Sequence, residues 1–72
     1  METNQIWYFT FGLAHPFKKC IQPIRGSYEK ARGIMFKIYG KNWAFQYEEN
    51  KGRELIAEYH LQLLPEINAE EG

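Results

Sequence analysis

One cysteine, Cys20, stands in a chain of 72 residues. No internal disulfide can form, which fits a reducing compartment. Metal-ligand spacing is missing as well. The other soft ligands, His15 and His60, show no Cys-x-x-Cys or His-x-x-x-His pattern, so no structural metal and no cofactor is expected. A net charge is absent: nine basic and nine acidic side chains sum to zero. That argues against broad binding to nucleic acid or to an anionic membrane, since both need a basic excess. A single nucleotide held by a local pair of cations stays open. The chain starts with no cationic leader and holds no apolar run long enough to span a bilayer. The expectation is a protein of the cytoplasm. Glycines 12, 26, 33, 40 and 52 stand apart, so there is no glycine-rich phosphate loop.

Aromatic residues are abundant, at 17% of the chain, more than one small core needs. A chain this short buries a modest fraction of its surface, and without disulfide or metal its remaining support is a partner. A homo-oligomer, dimer or higher, is therefore expected.

Residues 6–11 are β-branched and aromatic on both parities, the pattern of a strand covered on both faces. Gly12 to Phe17 reads as a loop. Residues 19–25 read as a second strand, and Pro23, which has no N–H, places it at a sheet edge or a bulge. Ser27 is a suitable N-cap for a helix reaching Tyr39, with Gly40 as its stop. Tyr28, Ala31, Ile34, Met35, Ile38 and Tyr39 fall on one apolar arc. Arg32 lies at the edge of that arc and Phe36 just beyond it. Gly33 in mid-helix suggests a close approach. Residues 42–48 form a third strand, with Trp43, Phe45 and Tyr47 on one face and Ala44 and Gln46 on the other. A turn at 49–52 follows. Beyond it two patterns compete: Leu55, Ile56, Tyr59 and Leu63 fit a helix, whereas Tyr59, Leu61 and Leu63 fit a strand; a short helix over 53–60 is favoured, then an extended piece stopped by Pro65. The acidic end, 66–72, is expected to fray.

The whole is a single α+β domain of order β-β-α-β-α. Three strands, with room for a fourth, carry the main helix on one face. The second face would then expose apolar rings. Cations gather in the first half (Lys18, Lys19, Arg25, Lys30, Arg32) and carboxylates towards the end, which gives a basic front half.

No nucleophile, base and acid stand together as catalysis requires. Cys20 follows two lysines that could lower its pKa, but its place in a strand reads as an ordinary buried thiol. Binding is favoured over catalysis, and the chain is not expected to be an enzyme. The candidates are Trp7, His15, Lys19, Arg25, Arg32, Phe36, Trp43, Gln46 and Tyr47. Rings stack on bases, and arginine pairs with phosphate or stacks on the same rings. The same types make protein–protein hot spots. The ordinary structural reading is that the rings form core or dimer interface while Arg32 pairs with a carboxylate such as Glu48.

Three segments together carry a resemblance: Trp7-Tyr8-Phe9-Thr10-Phe11-Gly12 with His15-Pro16; Gly26-Ser27-Tyr28 leading to Ala31-Arg32 and Met35; and Tyr39-Gly40 leading to Trp43-Ala44-Phe45-Gln46-Tyr47. The chain resembles a group of small proteins encoded by phages and prophages of Gram-positive bacteria, over roughly residues 6–48. The resemblance implies phage origin and a life in the host cytoplasm. Small phage accessory proteins often counter host defence, by sequestering a nucleotide signal or by blocking a host protein; a small enzyme or a virion component stands behind these as the remaining alternatives.

Overall fold

The computed structural model describes residues 5–12 and 14–69. Within them the α+β class holds. The elements run β1 (Gln5–Phe11), β2 (Cys20–Gly26), α1 (Tyr28–Tyr39), β3 (Trp43–Tyr47), α2 (Glu49–Tyr59), β4 (Gln62–Leu63) and β5 (Ile67–Asn68). The sheet order is β3-β1-β2, with β4 and β5 both on the outer side of β2. β1 pairs antiparallel with β2 and with β3, whereas β4 and β5 pair parallel with β2.

β1 is thus central, as its two apolar parities require. Phe9 and Phe11 point to one side, into a core with Ile24, Ala31 and Met35. Tyr8 points to the other and is also buried. There α2 covers it: a Cβ built on Gly52 would overlap the Tyr8 ring. The helices therefore lie on opposite faces of the sheet. The bare apolar face expected from the sequence is partly closed by the chain's own second helix.

α1 begins and ends where its signals place it. The Ser27 hydroxyl accepts from the Lys30 N–H at 3.2 Å. Gly40 takes a left-handed φ of 65° and its N–H donates to the Phe36 carbonyl. The apolar arc is narrower than expected: Ala31 and Met35 are buried, while Tyr28 and Ile38 are exposed. The close approach foreseen at Gly33 is absent, with nothing within 4 Å of its position. It occurs at Gly52 instead.

Two segments differ from expectation. Residues 49–52 are no separate turn but the first turn of α2, which starts after an extended Glu48. Its solvent side carries Arg53–Glu49 and Lys51–Glu54 ion pairs at 2.7 and 3.7 Å, the helical spacing that a turn reading missed. The segment 66–69 is also ordered by pairing. β5 lies beside Ile24 and Arg25, and the Ala69 N–H donates to the Arg25 carbonyl at 2.8 Å. Residues 70–72 of the expected tail lie outside the described residues.

Pro23 is tolerated inside the sheet because its outer side is a gap. β4 pairs at Cys20 and Ile21, β5 at Ile24 and Arg25, and neither pairs at Pro23. A buried side chain spans the gap. The Gln22 amide donates to the Pro65 carbonyl at 2.7 Å and to the Pro23 carbonyl at 2.9 Å, while its oxygen accepts from the Tyr39 hydroxyl at 3.0 Å. One glutamine so ties the C-terminal segment and α1 to β2. Among the described residues, no helix is long and apolar enough to cross a membrane.

Two predictions follow from this packing. Gly52→Ala forces α2 off Tyr8 and should lower stability by about 1–3 kcal/mol. Gly33→Ala, in open space, should raise it by roughly 1 kcal/mol. Urea unfolding of both variants checks the contrast, and equal effects would contradict the α2 docking.

The second concerns Tyr39. Burial, and then the charge interaction with the nearby Cys20, push its pKa above the ordinary 10.0. The fold therefore favours the neutral phenol. Its contribution is complete below pH 10.0 and is lost as pH rises through the higher folded value. Wild type should lose more stability on alkaline titration than Tyr39→Phe, as read from urea midpoints on either side of that range.

Candidate functional site

The face of α1 that looks along the sheet meets β3 through an irregularity in the strand pair. β1 and β3 align Phe9 with Gln46 but Phe11 with Trp43. One residue, Thr10, therefore opposes two, Ala44 and Phe45. This is a β-bulge, which re-aims the side chains that follow it. Simple alternation would put Trp43 and Gln46 on opposite faces, as the sequence suggested. The bulge puts both on the α1 side. Tyr47, opposite Tyr8, falls on the α2 side.

Arg32 projects into the angle so formed. Its guanidinium carbon lies 5.0 Å from the Trp43 ring centre, 5.7 Å from Phe36 and 5.9 Å from Tyr28. These distances are those of cation–π contact on three sides. One terminal nitrogen donates to the Gln46 side-chain oxygen at 3.2 Å, and the Gln46 amide donates to the Tyr28 carbonyl at 3.2 Å. The Tyr28 hydroxyl stands 3.5 Å from the same guanidinium nitrogen.

No carboxylate is within ion-pair distance of Arg32 among the described residues. The pairing with Glu48 allowed by the sequence does not occur. A half-buried guanidinium without an anion is costly unless something accepts its remaining donors.

The surrounding hollow has a volume of about 360 Å³ and is lined by Tyr28, Arg32, Phe36, Lys41, Trp43, Ala44, Phe45 and Gln46. Lys41 adds a second cation. Phe45 is 62% exposed and Phe36 44%, so ring surface faces outward at the rim. The Trp43 indole N–H is buried and has no acceptor among the described residues. Trp7 supports the wall from behind: its ring meets Tyr28 edge-on at 5.1 Å, and its indole donates to the Gly26 carbonyl at 3.1 Å. Among the described residues, no carboxylate, thiol or imidazole lines it. The chemistry on offer is stacking and anion recognition.

The nine candidates are thus divided. Arg32, Phe36, Trp43 and Gln46 share the hollow, and Trp7 buttresses it. Lys19 and Tyr47 line a different groove with Thr10, Lys18, Leu55, Tyr59 and Leu61. Arg25 is engaged with Glu66 at 3.0 Å and fastens the segment before β5. His15 accepts the Phe17 N–H on Nδ1 at 3.0 Å and lies against Phe11 with ring centres 4.7 Å apart, which shapes the loop. Tyr28, Lys41 and Phe45 were not singled out from the sequence. Tyr28 could have been: it lies one helical turn before Arg32, on the same side. Phe45 lies in the bulge, for which the sequence gives no signal.

No cluster of metal-ligating side chains occurs among the described residues. No family model, no curated protein and no solved structure matches this chain.

Proposed function

We propose that this chain is a binding protein whose Arg32 hollow captures a small planar anion of the nucleotide type. The observation that carries the reading is the guanidinium held among three rings with no carboxylate to neutralise it. An arginine so placed is preorganised: its orientation is fixed before the ligand arrives, and its spare donors suit a phosphate. Lys41 would take a second phosphate oxygen, and the exposed Phe45 ring offers a face for a base.

About 360 Å³ lies at the small end of ligand pockets, enough for one nucleotide unit and not for a dinucleotide. A ligand with two such units would need two hollows. β3 ends the sheet order, so a second copy has room to approach beside the hollow. A homo-oligomer is accordingly part of the proposal. With the resemblance to phage and prophage proteins, the role proposed is sequestration of a nucleotide immune signal in the host cytoplasm.

Blocking a host protein is the second reading. It is favoured by the exposure of Tyr28, Phe36 and Phe45 around an arginine, the composition of an interface hot spot. The two readings separate in one experiment. Calorimetry against cyclic dinucleotides and ADP-ribose-type molecules should give saturable heat with at least one of them, and Arg32→Ala should weaken that binding at least tenfold, about 1.4 kcal/mol. No heat from any nucleotide, together with Phe36-dependent capture of a host protein, would replace the first reading by the second.

A further inference from the structure

The face of the sheet opposite Arg32 carries a groove that the nucleotide reading does not use. Its floor follows from register. Thr10 aligns with Ile21 and Ile21 with Leu63, so these three share the α2 side. Lys19 and Leu61, the neighbours before Cys20 and Gln62, fall on that side too.

α2 covers this face unevenly. It is pressed onto β1 at Gly52, but two turns later Tyr59 is 62% exposed. Beneath that end lies a groove of about 360 Å³ lined by Thr10, Lys18, Lys19, Tyr47, Leu55, Tyr59 and Leu61. Leu63, 56% exposed, continues its apolar floor past the groove across the sheet. Among the described residues neither Lys18 nor Lys19 has a carboxylate at ion-pair distance.

We propose that this groove docks an extended, acidic and apolar peptide segment of a partner protein. The two ammonium groups at the rim call for carboxylates. The leucines and tyrosines below call for apolar side chains beside them, and an extended peptide presents the two kinds alternately. Leu63 extends the apolar surface of Leu55 and Leu61 beyond the groove's own lining, which suits a segment of chain better than a compact molecule. The inference stands apart from the nucleotide reading, since it involves neither Arg32 nor the α1 side.

Fluorescence polarisation tests it, with a labelled decapeptide of alternating Glu and Leu as the probe. Lys/Leu and Glu/Ser decapeptides serve as controls. The Glu/Leu probe should bind saturably, and both controls at least tenfold more weakly. The Lys18→Glu/Lys19→Glu double variant should lose at least tenfold in affinity. Tyr59→Ala should also weaken binding, and because these three side chains are exposed, circular dichroism should remain that of the folded protein. Lys37→Glu on the far side of α1 controls for overall charge and should bind as wild type does. Absence of binding by the Glu/Leu probe, equal binding of all three peptides, or a loss caused by Arg32→Ala and not by the lysine pair would overturn the proposal.

Discussion

β1 must be covered on both faces, and the rest of the molecule is arranged around that need. Phe9 and Phe11 require a lid on one side and Tyr8 on the other. The chain supplies a helix for each. α1 closes the first side with Ala31 and Met35 at the contact. α2 closes the second at a point where only glycine fits. Burial of large rings dominates the favourable free energy in so small a domain, and here most of it converges on one strand. β3 then occupies the last position in the sheet, where β1 is its one strand neighbour among the described residues, and its bulge is tolerated because no further strand there depends on its register.

That bulge connects the fold to the site. It shifts Trp43 and Gln46 onto one face, beneath the side of α1 that carries Arg32 and Phe36. Arg32 is fixed by rings and by Gln46, not by a carboxylate. A salt bridge would have spent the guanidinium on the protein itself. Ring contacts hold it while leaving its charge available, and this is the physical basis for reading the hollow as an anion receptor. The groove on the α2 side has a related origin, since it opens where α2 no longer covers the sheet.

Much of the fold was legible in the sequence. α1 could be placed at both ends, because Ser27 and Gly40 act through local backbone chemistry. The two covered faces of β1 were readable from its uninterrupted ring and β-branched pattern. What covered the second face was not. Gly52 looked like a turn residue because glycine has two uses, and only the proximity of Tyr8 selects close packing over chain reversal. Pro23 pointed to a sheet edge or a bulge, whereas β2 lies inside the sheet with unbroken register to β1 and Pro23 faces the gap between β4 and β5, which is a tertiary fact. At the site, Arg32, Phe36 and Trp43 were legible as types, and their meeting depends on a one-residue shift between β1 and β3. His15 and Arg25 were drawn in by chemical type, and the structure engages them in the loop and in a pair with Glu66.

The central claim is that the Arg32 hollow receives an anion with a planar ring. The most direct measurement is a nitrogen–proton NMR titration that follows the two tryptophan indole signals and the Arg32 side chain, with ADP-ribose and a cyclic dinucleotide as probes. The Trp43 ring lines the site and its buried indole N–H has no acceptor among the described residues, whereas that of Trp7 is held by Gly26. The account predicts saturable shifts of the Trp43 indole and of Arg32, with a smaller response at Trp7. Shifts confined to Lys19 and Tyr47, or none with either probe, would contradict it.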